Sequence, residues 1–159
     1  MTDPLHIPLS ADHPFVVALH DTWGFGADVF AAHRFWQRTD SGGVWLASRD
    51  LDPDGIDEIE TVGIAVSRSV DAPDRPSTGF ARRFGRFATR GVVHVDAEAA
   101  AHFAAGGALP WPEDVPRAHY CLVAGPLPGN PTEAVIGRGR LAGDQLLCEV
   151  PKRARFAAT

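Results

Sequence analysis

The segment VDAPDRPST, residues 70–78, constrains the fold of this chain more than any other stretch. It contains two prolines and lacks the apolar periodicity of a helix or a strand, so regular structure is expected to stop there. A chain of 159 residues suits one medium domain or two small domains that share an interface. We therefore predict an N-terminal α+β region of residues 1–78 and a C-terminal domain of residues 79–159.

The two predicted parts carry net charges of opposite sign. Residues 1–78 contain 13 Asp or Glu against 5 Arg, which gives a net charge of −8. Residues 79–159 contain 7 Asp or Glu against 10 Arg or Lys, which gives +3. Such an asymmetry is typical of proteins in which one part binds a polyanion.

The N-terminal region shows one helix signal and two strand signals. The stretch SADHPFVVALHDTWGFG predicts a helix that is capped by Ser10 or Asp12 and ends at Gly24. This helix places three large apolar side chains four residues apart, in one buried stripe: Phe15, Leu19 and Trp23. RFWQRTDSGGVWLAS predicts a β-hairpin, and TVGIAVSRS predicts a strand after an acidic, turn-rich loop at residues 50–60. No function is assigned to that loop.

The C-terminal domain begins with a short helix, a strand and a second helix, and continues mostly as strands. TGFARRFG predicts a helix capped by Thr78 or Ser77, whose two phenylalanines face inward. The arginines of this stretch and the following Arg86 are expected to project outward. GVVHV predicts a strand, and Asp96 is expected to cap the helix AEAAAHFAAGG. The apolar runs HYCLVAG, EAVIGRGRL and QLLCEVP follow, with a hairpin signal at Ala-Gly-Asp. We predict five or six strands in a closed or nearly closed sheet.

No catalytic or cofactor-binding motif is visible in the sequence. The seven histidines form no two-ligand pattern at helical spacing, and the two cysteines form no zinc knuckle. The glycine runs GFG and GRGRLAG lack the strand-to-helix context of a nucleotide site. We therefore predict no catalytic residue, no metal and no cofactor, and no binding of S-adenosylmethionine or a nicotinamide.

Cysteine usage and the chain start predict a cytoplasmic protein. Cys121 and Cys148 each lie within an apolar run, which favours buried free thiols in a reducing compartment, with a single disulfide as the alternative. The start, MTDPLHIPLS, lacks the basic and hydrophobic regions of a signal peptide, and no apolar stretch reaches the length of a membrane span.

Basic residues gather in RRFGRFATR, residues 82–90, in the alternating pair of GRGR, and in PKRARF near the C-terminal end. Arginine binds phosphate through bidentate hydrogen bonds and stacks on unpaired bases, so this pattern favours nucleic acid. The alternatives are a solvated helix end and a disordered, solubilising tail. Phe84 and Phe87 are interpreted as core anchors rather than stacking platforms. The candidate RNA-binding residues are Arg82, Arg83, Arg86, Arg90, Arg138, Arg140, Lys152, Arg153 and Arg155.

FGRFATRGVVHVDAEAAAHFAAGGAL, followed by IGRGRLAGDQLLCEVPKRAR, resembles PUA-like RNA-binding domains. The likeness is greatest to those attached to Sun-type RNA cytosine-5 methyltransferases and to small ribosome-biogenesis proteins. GFGADVFAAHRFWQR and GVWLAS resemble the small α+β region that precedes the domain in that group. The matching positions are Phe84, Gly85, Thr89, Gly106, Gly137, Gly139, Gly143, Pro151 and Lys152.

The resemblance implies an α+β protein whose second part is a PUA-like mixed β pseudobarrel. It implies a non-enzymatic module that contacts structured rRNA or tRNA, in partnership with a modification enzyme or a ribosome-assembly protein and without a membrane. It also implies that the two basic clusters share one face, because the terminal strand closes the barrel beside the entering helix. Methyltransferase activity does not carry over, since the S-adenosylmethionine-binding sheet and the Pro-Cys motif are missing.

Two alternative functions remain. The first is a small hydrolase-like enzyme with a cleft in a PUA-like barrel, which would be lined by His94, Asp96 or His102. The second is a protein-interaction adaptor that uses the acidic N-terminal half.

Overall fold

The computed structural model describes residues 5–51 and 63–156. The chain divides into two compact units, Met1–Phe80 and Ala81–Thr159, which we call the N-terminal unit and the C-terminal unit. The described residues form three α-helices, two short 3-10 helices and nine β-strands in two sheets, which is an α+β fold. No helix in these two ranges has the length and apolar character needed to cross a lipid bilayer.

The N-terminal unit contains a four-stranded antiparallel sheet whose strands pair in chain order. The strands β1 to β4 span His6–Leu9, His33–Arg38, Val44–Ser48 and Ile64–Ser67. The predicted hairpin is confirmed between β2 and β3, where Gly42 has a φ of +70° that favours glycine. The sequence does not predict β1, which is only four residues long and contains Pro8. The acidic loop predicted at residues 50–60 lies largely outside the described residues.

The helix α1, Pro14–Trp23, is capped by a residue that the sequence analysis did not select. His13 Nδ1 accepts a hydrogen bond from the backbone N two residues further on, at 3.2 Å. The predicted caps were wrong because Pro14 favours extended backbone in the residue before it, which is the conformation of an N-cap. Ser10 and Asp12 bond to each other instead, with 2.5 Å between Oγ and Oδ1.

An aromatic cluster fills the core of the N-terminal unit. The predicted stripe of α1 is confirmed, because its three large apolar side chains are buried. Phe30 lies in the cluster, with its ring centroid 5.1 Å from that of Phe25 and 5.2 Å from that of Phe35. Phe30 also stacks on Phe80, with 5.8 Å between the centroids. The first residues of the helix α2, Thr78–Phe84, therefore belong to this core.

The proline-containing segment 70–78 packs against β4 through hydrogen bonds. The hydroxyl of Ser67 donates to the carbonyl of Ala72 at 2.8 Å, and the backbone N of Ser77 donates to the carbonyl of Val66 at 2.7 Å. The Ser77 hydroxyl accepts a hydrogen bond from the backbone N three residues further on, at 3.1 Å, as predicted for a cap of α2.

The C-terminal unit contains a five-stranded sheet with the order β5-β7-β8-β9-β6, curled into a half-barrel. The strand β5 is parallel to β7, and the other described pairs are antiparallel. The strands β5 to β9 span Val92–His94, Leu109–Pro110, Tyr120–Leu127, Asn130–Ala142 and Gln145–Cys148. The predicted strand number and the last hairpin are confirmed. The sheet is a half-barrel rather than a closed one, because β5 and β6 lie at opposite ends of this order and each pairs with one described strand.

The helix α3, Ala97–Ala104, packs on β7 and β8 and supplies much of the core of the C-terminal unit. Asp96 caps it as predicted, accepting a hydrogen bond from the backbone N three residues further on at 2.9 Å. Phe103 is completely buried. A β-carbon at Gly139 would lie 2.4 Å from Cδ1 of Leu146, so replacing this glycine would force the buried leucine to move.

The strand β8 contains a β-bulge at Ile136. Val123 of β7 is paired with Gly137, whereas Ala124 is paired with Val135, so the register passes over Ile136. The extra residue of a bulge is left unpaired in the ladder. Its backbone carbonyl is therefore left for a partner outside the sheet.

Candidate nucleic-acid interface

The nine predicted basic residues form two groups that differ in what their side chains contact. Four of them donate hydrogen bonds to acceptors inside the C-terminal unit: Arg82, Arg138, Arg140 and Arg155. The others are exposed: Arg83, Arg86, Arg90, Lys152 and Arg153. The guanidinium groups of the first four are therefore already partly occupied by acceptors of the protein.

Arg82 holds the C-terminal segment against β8. Its Nε donates to the bulged carbonyl of Ile136 at 2.8 Å, and its Nη2 donates to the carbonyl of Ala154 at 2.8 Å. Its guanidinium carbon lies 5.3 Å from the ring centroid of Phe156. The expectation that this side chain projects outward was wrong, because the bulge offers it an acceptor that the ladder does not use.

Arg155 makes a second internal attachment of the same segment. Its Nε donates to the carbonyl of Val150 at 2.9 Å. Its guanidinium packs on Gly106, where an added β-carbon would lie 2.5 Å from Nη1 and where φ is +100°. The C-terminal segment is thus bonded to the unit up to Phe156, whose backbone N donates to the carbonyl of Ala104 at 3.0 Å. This arrangement does not fit the alternative of a disordered tail for these residues.

Arg138 and Arg140 share one carboxylate. Arg138 donates to Glu149 Oε2 through Nε at 3.0 Å and Nη2 at 2.6 Å, and Arg140 Nε donates to Oε1 at 2.9 Å. The Glu149 and Arg138 side chains are 20% and 16% exposed. Partial burial alone would raise the pKa of Glu149, but the two arginines outweigh it and hold the pKa below its usual value of 4.5.

We expect Glu149→Gln to lower the free energy of unfolding at pH 7 by about 1–2 kcal/mol, because it weakens three charge-assisted hydrogen bonds at a partly solvated site. A carboxyl with a lowered native pKa stabilises the fold above its unfolded pKa, and this stabilisation is lost as pH falls through the native pKa. The difference between the two proteins should therefore persist from neutral pH to about pH 5 and shrink at lower pH. Urea unfolding at several pH values measures it.

The exposed Glu113 provides the matched control. Glu113→Gln should change the free energy of unfolding by less than about 0.5 kcal/mol at neutral pH. A Glu149→Gln effect that does not shrink as pH falls below the unfolded pKa would contradict the assigned ion pairs, since protonation of the wild-type carboxylate removes them.

Two adjacent segments carry the exposed basic residues. One is the end of α2 with the 3-10 helix Gly85–Phe87, and the other is the 3-10 helix Lys152–Ala154. They lie next to each other because Arg82 of α2 donates to Ala154. Four exposed side chains make no hydrogen bond or ion pair with another described residue of this unit, and we call them the basic surface: Arg83, Arg86, Lys152 and Arg153.

Two exposed aromatic rings accompany the basic surface. Phe87 is 41% exposed, and its ring centroid lies 4.6 Å from the guanidinium carbon of Arg86. Phe156 is 44% exposed beside Arg82. The prediction that Phe84 is a core anchor is confirmed, because its side chain is buried. The same prediction is wrong for Phe87, whose ring is exposed.

The three side chains named for an enzymatic cleft do not line the open pocket described below. His94 Nδ1 lies 2.5 Å from Glu133 Oε1 at the surface, Asp96 caps α3, and His102 is exposed. One open pocket is lined by residues without a titratable side chain: Ala97, Pro126, Leu127, Pro128, Gly129, Asn130 and Pro131. Across residues 5–51 and 63–156, no group of three or more His, Cys, Asp or Glu is placed to hold a metal ion.

The two cysteines are free thiols. Cys121 is buried in β7, as expected, whereas Cys148 at the end of β9 is only half-buried. Burial raises the pKa of Cys121 to about 12 and also raises the pKa of Cys148. Neither thiol is therefore activated as a nucleophile at neutral pH.

Glu149 is the member of this region that the sequence analysis missed, although the chain carries a signal for it. Antiparallel pairing around the Ala-Gly-Asp turn pairs Ala142 with Gln145 and Gly139 with Cys148. The same register brings Glu149 beside Arg138, where its backbone N donates to the Arg138 carbonyl at 3.1 Å. Counting outward from the turn would therefore have found the pair.

No protein-family model matches the sequence, and the comparison with curated proteins gives no match. The resemblance to PUA-like domains therefore stays a prediction that depends on the quoted residues.

Proposed function

We propose that the C-terminal unit is a non-enzymatic RNA-binding module and that the basic surface forms its phosphate-binding site. The observation that carries this proposal is the placement of four exposed cations beside two exposed aromatic rings. Such a combination of positive charge and exposed π-faces suits nucleic acid. The resemblance to PUA-like domains supports the same proposal and suggests structured rRNA or tRNA as the ligand, in RNA modification or ribosome biogenesis in the cytoplasm.

The internal arginines change how many phosphate contacts the proposal expects. Arg138 and Arg140 are partly neutralised by Glu149, and Arg82 and Arg155 are bonded to backbone carbonyls. We therefore assign phosphate contact to the basic surface rather than to all nine predicted residues. Charge interactions are screened beyond about 8–10 Å at physiological salt, so an acidic residue of the N-terminal half weakens binding only where it lies closer than that to the bound RNA.

We expect Arg83→Ala and Arg86→Ala each to weaken RNA binding for many sequences alike. Each variant should also flatten the dependence of log K on log salt by about 0.7 on single strands, because one phosphate contact is lost. Fluorescence anisotropy with labelled RNA across a series of salt concentrations measures both quantities.

Arg117→Ala is the matched control, since it removes the same charge elsewhere in the C-terminal unit. Arg117 is exposed and bonds to Gly143 and Asp144 instead of belonging to the basic surface. If Arg117→Ala weakened binding as much as Arg86→Ala, the effect would reflect net charge alone. Equal binding by wild type, Arg83→Ala and Arg86→Ala would mean that the α2 cluster is only a solvated helix end.

A further inference from the structure

We propose that the rings of Phe87 and Phe156 stack on unpaired bases, so that the module binds single-stranded segments of its RNA in preference to duplex. This inference rests on the proposed function, because it assigns the kind of RNA that the basic surface holds. Every base has a π-face, so stacking on an aromatic side chain needs an unpaired base but little sequence preference.

The exposure of the two rings is the first observation behind this inference. Within the described part of the C-terminal unit, Phe87 and Phe156 are the large apolar side chains that remain exposed, at 41% and 44%. The other phenylalanines of this unit, Phe84 and Phe103, are buried. A chain that buries its other rings gains nothing in stability from leaving these two in water.

The attachment of the rings is the second observation. Arg82 lies over Phe156 while it donates to Ala154, so the position of this ring is set by bonded groups rather than by a loose tail. Arg86 lies over Phe87. Preorganised aromatic groups lose little conformational entropy when they bind.

The segments that carry the two rings are bonded to each other. Phe87 lies against Arg86, in the 3-10 helix that follows α2 directly, and Phe156 lies against Arg82 of α2. Arg82 also holds the segment of Phe156 to α2 through its hydrogen bond to Ala154. One strand can therefore contact both segments, with the basic surface on its phosphates.

Charge complementarity favours RNA over a protein partner as the occupant. The segments that carry the two rings, residues 82–90 and 151–156, contain no Asp or Glu, and a surface with charge of one sign attracts a polyanion. Here the two exposed rings lie in segments that also contain Arg83, Arg86, Lys152 and Arg153. A polyanion that also offers flat aromatic faces matches both features.

The test uses the full chain with Phe87→Leu and Phe156→Leu, which keep an apolar side chain but remove the π-face. The probes are a labelled 12-nucleotide RNA without self-complementarity and a 12-base-pair RNA duplex, both followed by fluorescence anisotropy. We expect each variant to bind the single strand about tenfold more weakly, to bind the duplex within twofold of wild type, and to keep the wild-type salt slope. Phe87→Trp, which keeps an aromatic face at this position, should bind the single strand at least as tightly as wild type.

The outcomes separate this inference from the proposed function. If the leucine variants bind the single strand as wild type does while Arg86→Ala binds weakly, the stacking inference is overturned and the RNA-binding proposal stands. Equal weakening on the single strand and the duplex also overturns it, because stacking on unpaired bases cannot explain that result. If wild type binds neither probe, both proposals fail, and a protein-contacting surface becomes the better explanation. Thermal unfolding of each variant checks that the fold is intact.

Discussion

Replacing Arg82 with alanine should lower the free energy of unfolding by about 2–4 kcal/mol, as measured by urea unfolding of the full chain followed by circular dichroism. The variant loses two charge-assisted hydrogen bonds, to Ile136 and Ala154, and the contact with the Phe156 ring. It also leaves the carbonyl of the bulge without its donor, and an unsatisfied buried acceptor has its own desolvation cost.

Arg83→Ala is the control for this result, because Arg83 is the next residue of α2 and is exposed. It should cost less than about 0.5 kcal/mol. Limited trypsin digestion gives a second readout, since release of the C-terminal segment should speed cleavage after Lys152 and Arg153 in the Arg82→Ala protein. Equal stability and equal cleavage rates in the two variants would contradict the attachment described for Arg82.

Phe103→Ala should lower the free energy of unfolding by about 3–5 kcal/mol, the range for removing a fully buried phenylalanine. Phe103 is completely buried between α3 and the sheet, close to Gly139. Urea unfolding monitored by circular dichroism measures the loss.

Glu98→Ala, at an exposed position in the first turn of the same helix, should cost less than about 0.5 kcal/mol. A loss below about 1 kcal/mol for Phe103→Ala would show that α3 does not pack on this sheet as described. Phe103→Leu should fall between the two, because it keeps part of the buried volume.

Local signals in the sequence predicted much of the secondary structure. The cap at Asp96, the stripe of α1 and both glycine-containing hairpins are confirmed, because each depends on residues close together in the chain. The cap of α1 was assigned to the wrong residue. Pro14 restricts His13 to the extended backbone conformation of an N-cap, and this restriction outweighed the usual preference for Ser or Asp as the capping side chain. Closure of the sheet could not be derived locally, because it depends on whether strands distant in sequence meet.

The sequence shows which basic residues belong to the candidate site, but it does not show what each of them contacts. Clustering of arginines is visible in the sequence, yet it does not show which of them face backbone carbonyls. Arg82 turns inward because of a bulge 54 residues away, which no local pattern reveals. Phe87 was assigned to the core for a similar reason: helical spacing places Phe80 and Phe84 on one face, but it does not decide where the 3-10 turn points the next ring.

The bond from Arg82 to Ala154 also affects the order of events during synthesis, because 72 residues separate its two ends. A ribosome adding about 5–20 residues per second takes roughly 4–14 seconds to cover that distance. Residues 1–80 have all been translated before this interval begins, so the N-terminal unit can form while the rest of the chain is still being made. The C-terminal unit can make this attachment only after Ala154 has left the exit tunnel. The C-terminal unit should therefore complete its fold later than the N-terminal unit during synthesis.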